Sequence, residues 1–223
     1  MTAPAVHPLT VRLHELGERT ARQVLALLDQ LDTGALQLAQ VPELAAVLVK
    51  LGADQAAALG VSELVQQMAA AGVPPSRLPS VSDVTAYTSL ANAETAAATV
   101  VAGPREQVAT RLDRLARGAV ARGAQDARES ALQRSELVQG WTRGIDSTSC
   151  QLCVWWWREG RVWPKDHHMP RHPGCTCVQV PKLVDNLQGV SRAARNDSAE
   201  RRELERRGAY LDTFGTDRRH SRE

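Results

Sequence analysis

Aromatic residues are scarce in this sequence, which has five Trp, two Tyr and one Phe in 223 residues. Residues 1–140 contain a single aromatic, Tyr87, whereas all five Trp lie between Trp141 and Trp163. The interior of the first part must therefore be built from Leu, Val and Ala, which favours closely packed helices. A second, smaller interior is predicted to form around the Trp rings.

The sequence also lacks a strong excess of charge and a long apolar run. Its net charge is +2, so its composition does not require a polyanionic partner such as nucleic acid. No stretch approaches the ~20 apolar residues that span a bilayer. The first residues lack the basic-then-apolar pattern of a signal peptide. We therefore expect a protein with no membrane span that is made and kept in the cytosol.

Apolar residues recur every three or four positions between residues 11 and 31, a spacing that places them on one face of a helix. Pro42 suits the first turn of a second helix, and Glu43 is a favourable acid near its start. Further helices are predicted from Ser62 to Gly72, from about Val84 to Val101 and from Arg105 toward Val138, with a Pro-containing loop over residues 73–82.

The last of these helices carries basic side chains around its apolar face, at Arg111, Arg114 and Arg117. Such residues could contact the phosphates of a nucleic acid. The alternative, which we prefer, is a solvated helix surface.

All four cysteines fall between Cys150 and Cys177, as a Cys-x-x-Cys pair followed by a Cys-x-Cys pair. In a reducing compartment this clustering favours metal ligation over disulfides. Two disulfides of unknown pairing are the alternative. Zinc is the metal that thiolate and imidazole ligands most often hold in tetrahedral structural sites. The predicted zinc ligands are Cys150, Cys153, Cys175 and Cys177, with His172 as an alternative ligand or as a support for one.

A structural rather than catalytic zinc is expected. A module of about forty residues buries too little apolar area to fold unaided, and a bound zinc supplies the missing stability. Thiolates can close the coordination shell, and no spacing marks Glu159 or Asp166 as a general base. The sequence also lacks a Gly-rich phosphate loop and a recognisable Ser–His–Asp arrangement. A non-enzymatic protein is therefore predicted.

The run Trp155, Trp156 and Trp157 is interpreted as strand-like, with alternate rings on opposite faces. One face would cover the metal core together with Trp163, and the other would leave Trp156 for the helices or a partner. Residues 159–161 would then form a turn that leads into Val162 and Trp163 and completes a hairpin.

Beyond Lys182 the chain becomes polar, with nine Arg against seven Asp and Glu in residues 191–223. A segment with so few apolar anchors is predicted to order only against a partner. The sequence as a whole predicts a mainly α protein in three parts. These are a helical domain over residues 1–140, a Cys/His/Trp-rich zinc module of α+β type over 141–181, and a charged tail over 182–223.

The segment from Gly140 to Pro181 resembles the C-terminal signature of the phage Mu F-like minor head proteins. The signature follows an α-helical region in that family, as it does here. Thr176 stands where the family often has Arg, and the triple Trp is unusual for it. The residues that carry the resemblance are Gly140-Trp141, Asp146, Cys150-Gln-Leu-Cys153, Gly160-Arg-Val-Trp163, His172-Pro-Gly-Cys175-Thr-Cys177 and Val180-Pro181.

This resemblance implies a minor capsid protein that takes part in head morphogenesis of a tailed phage. It implies the host cytoplasm as the location during assembly and the interior of the virion head afterwards. The implied partners are the portal and the major capsid protein, and DNA for some members. Two other functions remain open: a nucleic-acid-binding zinc module that stacks bases on exposed Trp rings, and a zinc hydrolase that acts during phage entry through Glu159 or Asp166.

Overall fold

The computed structural model describes residues 7–80, 89–145 and 149–185. The predicted mainly helical fold, with a small sheet near the C-terminal end, is confirmed. Predictions for residues 186–223 of the tail, for Asp146 and for residues 81–88 lie outside the described residues, whereas the first two residues of the predicted tail, Lys182 and Leu183, form the end of the last strand. The elements are α1 (Pro8–Asp32), α2 (Val41–Ala70), α3 (Leu90–Val101), α4 (Arg105–Arg134), β1 (Val138–Gly144), α5 (Gln151–Trp157), β2 (Trp163–Pro164) and β3 (Val178–Leu183).

The predicted start of the second helix is confirmed, and the first helix contains the predicted apolar face of residues 11–31 but begins earlier, at Pro8. At the start of α1 the His7 ring accepts a hydrogen bond from the backbone N–H of Leu9, which satisfies one of the unpaired donors of the first turn. Pro42 lies in the first turn of α2, where its missing N–H costs nothing, and Glu43 follows it.

The separate helix predicted from Ser62 is wrong, because α2 continues without a break from Val41 to Ala70. Ser62 is a good helix-start residue, but here its flanking residues Val61 and Leu64 are buried in the same helix. Core packing therefore overrides the local capping signal. Gly72 follows the helix with φ near +87°, so the predicted end is nearly correct.

The helical core is made of small side chains, as the shortage of aromatics predicts. Helices α2 and α4 approach so closely that a Cβ on Gly60 would lie 2.8 Å from the carbonyl oxygen of Ala124. A Cβ on Gly123 would overlap the carbonyl oxygen of Ala53 in the same way. Only glycine permits this spacing, so these two positions fix how the two longest helices pack.

One segment, Leu38–Ala70, is long and apolar enough to cross a membrane by length and composition alone. Half of its most apolar window is buried inside the structure, and a core helix passes the same test. Apolar residues lie on more than one side of this helix, since Val49 and Ala53 are buried in the core whereas Val47 and Leu51 are exposed.

The three strands form an antiparallel sheet in the order β2-β1-β3. Arg128 of α4 is fully buried and ties this sheet to the bundle, since it donates to the carbonyl oxygens of Gln179 in β3 and Gly60 in α2. Its third hydrogen bond goes to the side-chain oxygen of Gln67. The predicted boundary at residue 140 falls within β1, and the division into domains stays a prediction.

The strand-like interpretation of the Trp run is wrong, because residues 151–157 form helix α5. The predicted hairpin is also absent, since β2 pairs with β1 and not with the Trp run. The turn between α5 and β2 is left-handed at Arg158, Glu159 and Gly160, with φ near +46°, +57° and +85°. Aromatic residues favour strands only where neighbouring strands pack against them, and here Cys150 instead starts a helix.

Candidate metal centre

Three separate segments bring the candidate ligands together. Cys150 lies immediately before the first turn of α5, and Cys153 follows within that turn. Residues three apart at a helix start lie on the same side, so both sulfurs face the same point. His172 belongs to the loop that follows β2, and Cys175 and Cys177 immediately precede β3.

The ligand atoms of these residues form two groups of three that share Cys153. Cys150, Cys153 and His172 make one group, and Cys153, Cys175 and Cys177 make the other, with all atoms of a group within 4.8 Å of one another. The sulfur of Cys153 lies 3.6 Å from that of Cys175. Donors at the corners of a zinc tetrahedron lie about 3.8 Å apart, so the spacing and the donor types fit a metal ion.

His172 has the hydrogen bonding of a metal ligand. Its Nε2 lies 3.1 Å from the sulfur of Cys150 and 3.0 Å from that of Cys153. Its Nδ1 lies 2.9 Å from the carbonyl oxygen of Pro173, which can only accept a hydrogen bond. The ring proton therefore sits on Nδ1, and the Nε2 lone pair faces the two sulfurs.

The surroundings promote thiolate formation at two of the cysteines. The backbone N–H of Cys153 points at the sulfur of Cys150 and lowers the pKa of that thiol. Hydrogen bonds from Cys153 and Cys177 likewise lower the pKa of Cys175, and the nearby Arg143 adds to the effect. The pKa of Cys153, in contrast, is raised by the neighbouring sulfurs of Cys175 and Cys177. The pKa of Cys177 is also raised, by the neighbouring sulfur of Cys175 and by burial, so the surroundings favour the metal-binding thiolate at Cys150 and Cys175 only.

Most of the centre is shielded from solvent. Cys153, Cys175 and Cys177 are buried together with Ile145, and Trp157 packs against them. Cys150 is exposed, and all four cysteines are free thiols in this structure. The cluster can therefore hold a metal ion that is enclosed on the protein side and reachable from one edge.

Helix α4 supports the loop that carries the second half of the cluster. The side-chain amide of the buried Gln125 donates to the carbonyl oxygens of Cys175 and Cys177, at 2.8 Å each. Arg171 pairs with both Asp126 and Glu129 on the same helix. The ligand loop is thus fixed by hydrogen bonds and ion pairs to a rigid element.

Sequence reasoning missed these supporting residues as well as Arg143, which is buried beside Cys175. The sequence carried a signal for Arg171, because Asp126 and Glu129 are three residues apart on one helix face and together favour a basic partner. The sequence has no comparable signal for Gln125.

The Trp side chains have different surroundings. Trp156 stacks on His172 with ring centroids 6.2 Å apart, and Trp163 stacks on His167 at 4.6 Å. Trp163 also lies against Trp141, which is fully buried. Trp155 is 60% exposed, with the guanidinium of Arg158 over its ring. The exposed ring of this run is therefore Trp155, whereas Trp156, the ring predicted to face the helices or a partner, is half-buried against His172.

Of the three arginines predicted as nucleic-acid contacts, one is paired with carboxylates, and the role of all three stays a prediction. Arg111 and Arg114 are exposed on α4. Arg117 is half-exposed and forms ion pairs with Asp113 and Glu18, at 2.9 Å and 3.6 Å. These carboxylates offset part of the positive charge on which phosphate binding depends.

The two acids considered for a hydrolase, Glu159 and Asp166, are both exposed. Within residues 7–80, 89–145 and 149–185, neither group of candidate ligands includes a carboxylate.

Comparison of the chain with family models, with curated proteins and with solved structures finds no match.

Proposed function

We propose that the cysteine and histidine cluster is a structural zinc site. The observation that carries this proposal is the position of Cys153, which lies 3.0 Å from Nε2 of His172 and 3.6 Å from the sulfur of Cys175. Thiolate and imidazole together favour zinc over the hard cations, which prefer oxygen ligands.

Zinc at this position would contribute folding energy. The ligands come from the start of α5, from the loop after β2 and from the start of β3, so one ion would cross-link all three segments. A structural zinc contributes apparent binding energies of about 10–16 kcal/mol near neutral pH. That is more than a segment of this size gains from its own apolar burial. No reaction is assigned to the site.

Zinc analysis of the protein purified under reducing conditions tests this proposal. We expect one zinc per chain in the wild type and none in Cys153→Ser, because Cys153 belongs to both ligand groups. Thr176→Ser is the matched control, since this residue lies between two ligands without offering a ligand atom to either group. A wild-type protein without metal, or with disulfides under these conditions, would contradict the proposal.

We propose further that the chain is a non-enzymatic minor head protein of a tailed phage, and that it contacts the portal or the inner capsid surface. The support is the resemblance of residues 140–181 to the Mu F-like signature. The residues that carry that resemblance include the four cysteines and His172, which form the candidate site.

Fractionation of cells infected with the phage that encodes the chain tests the second proposal. We expect the protein in procapsids at low copy number, and we expect a phage that lacks its gene to make fewer infectious heads. Its absence from both procapsids and mature particles would remove the proposal while leaving the zinc site unaffected.

A further inference from the structure

Arg143 is a buried cation at the centre of the sheet. It belongs to β1, opposite Gln179 of β3, and its side chain is only 2% exposed. A charge taken out of water needs a compensating charge or a full set of hydrogen bonds, since an uncompensated one costs several kcal/mol.

The hydrogen bonds of Arg143 are incomplete. One terminal nitrogen donates to the carbonyl oxygen of Pro170. The guanidinium also lies 5.2 Å from the ring centroid of Trp156. Its Nε has no hydrogen-bond partner. Within the part of the chain that the structure describes, no carboxylate forms an ion pair with Arg143.

The other buried or nearly buried arginines have more oxygen partners than Arg143, although the Nε of Arg171 also lacks a partner. Arg128 donates from all three of its nitrogens to oxygen atoms of Gln179, Gly60 and Gln67. Arg171 pairs with two carboxylates of α4. Arg143 alone among these three faces sulfur, with its second terminal nitrogen 3.9 Å from the sulfur of Cys175.

We propose that Arg143 is the charge partner of the metal-bound thiolates, and that it acts as a positioning residue for the ion. This inference rests on the proposed zinc site. A zinc ion with four thiolates carries a formal charge of about −2, and one with three thiolates and a neutral histidine about −1. The buried guanidinium would neutralise that charge from the protein side, where water is excluded.

Metal binding and Arg143 then support each other. With zinc bound, the thiolates compensate the cation, and the cation holds electron-rich sulfur near the ion. Without zinc the sulfur atoms are no longer held around one ion, so the compensation of Arg143 is weaker. A purely structural arginine, held by Pro170 and Trp156 alone, would contribute equally with and without metal.

Competition with a zinc chelator measures this coupling, with the full chain as wild type, Arg143→Met and Arg143→Lys. We expect Arg143→Met to bind zinc about 10- to 100-fold more weakly, the usual effect of losing a residue that supports a metal site. Arg143→Lys keeps the charge and is expected to stay within a few-fold of the wild type. Arg161→Met is the matched control, because this exposed arginine lies over Trp163 and not beside a cysteine.

Thermal unfolding before and after zinc removal supplies a second measurement. Removing zinc should lower the midpoint by less in Arg143→Met than in the wild type, because the variant lacks the charge that interacts with the metal-bound thiolates. If Arg143→Met does not fold, Arg143→Gln provides the neutral side chain for both measurements.

Wild-type zinc affinity in the neutral variant would overturn the inference and leave the zinc site standing. An equal loss of affinity in Arg143→Lys would also overturn it, since hydrogen-bond geometry and not charge would then matter. Failure of the wild type to bind zinc would overturn both proposals.

Discussion

The side-chain amide of Gln125 donates a hydrogen bond to the carbonyl oxygen of Cys175, at 2.8 Å and across 50 residues of sequence. The same nitrogen donates to the carbonyl oxygen of Cys177. One buried amide of α4 thus fixes the backbone on both sides of Thr176 and sets the direction of two candidate ligands.

Replacing Gln125 with Leu should weaken both the fold and the metal site. Two buried carbonyl groups would lose their donor, and each unsatisfied group costs about 1–3 kcal/mol. We also expect zinc affinity to fall about 10-fold, as it does when a supporting hydrogen bond is lost. Urea unfolding and chelator competition measure the two effects. Gln133→Leu, at an exposed position of the same helix, is the control and should change neither.

Helices α2 and α4 are in close contact at glycine, so alanine substitutions at two glycines of α4 should have opposite effects on stability. Gly123→Ala should destabilise the protein by about 1–3 kcal/mol, because the new methyl group would overlap the backbone of Ala53. Gly118→Ala meets only the flexible end of Arg122, and should be neutral or stabilise by about 0.5–1 kcal/mol. Denaturant unfolding of the two variants checks the difference. Equal stability of both variants would show that the close approach of the helices is absent.

His172 is expected to be a ligand and not merely a neighbour of the cysteines. His172→Ala should therefore lower zinc affinity by at least about 10-fold, since it removes the lone pair that faces Cys150 and Cys153. His168→Ala is a matched change at an exposed histidine of the same loop, where only an ion pair with Glu129 is lost. Chelator competition with both variants decides, and similar affinities would exclude His172 from the coordination shell.

Metal removal should loosen the C-terminal part of the described chain and leave the helical bundle folded. The buried apolar clusters of α1, α2 and α4 contain none of the cysteines, and they hold these helices together without metal. All five Trp lie between residues 141 and 163, so their fluorescence reports on the metal-dependent part alone. We expect a chelator to shift Trp emission to the red while circular dichroism keeps most of its helical signal. Loss of both signals together would mean that the bundle also depends on the metal.

The sequence predicted what local spacing determines. Leu, Val and Ala at helical intervals identify α1, and Pro42 marks the start of α2, because both signals depend only on neighbouring residues. Spacing also identified Cys150 and Cys153, since a Cys-x-x-Cys turn brings its own sulfurs together. It identified Cys175 and Cys177, with His172 just before them, as the second part of the site. The structure brings these five residues into two groups of three that share Cys153, and the four-cysteine set around one ion stays a prediction.

Other features depend on contacts between distant residues, and these could not be predicted. The continuity of α2 through Ser62 follows from burial against other helices, which a capping residue does not reveal. Residues 155–157 are helical although the composition of the run favours a strand, and Cys150 at the helix start makes no side-chain capping hydrogen bond that would signal the helix. Gln125 and Arg143 meet Cys175 across 50 and 32 residues, so neither shows a local pattern.

X-ray absorption at the zinc edge is the most direct test of the central claim, that sulfur atoms distant in sequence hold one metal ion. Measured on protein purified under reducing conditions, the account predicts a first shell of three or four sulfurs at about 2.3 Å, with one nitrogen at about 2.0–2.1 Å if His172 completes it. A shell of oxygen and nitrogen alone, or no zinc in the purified protein, would contradict the account.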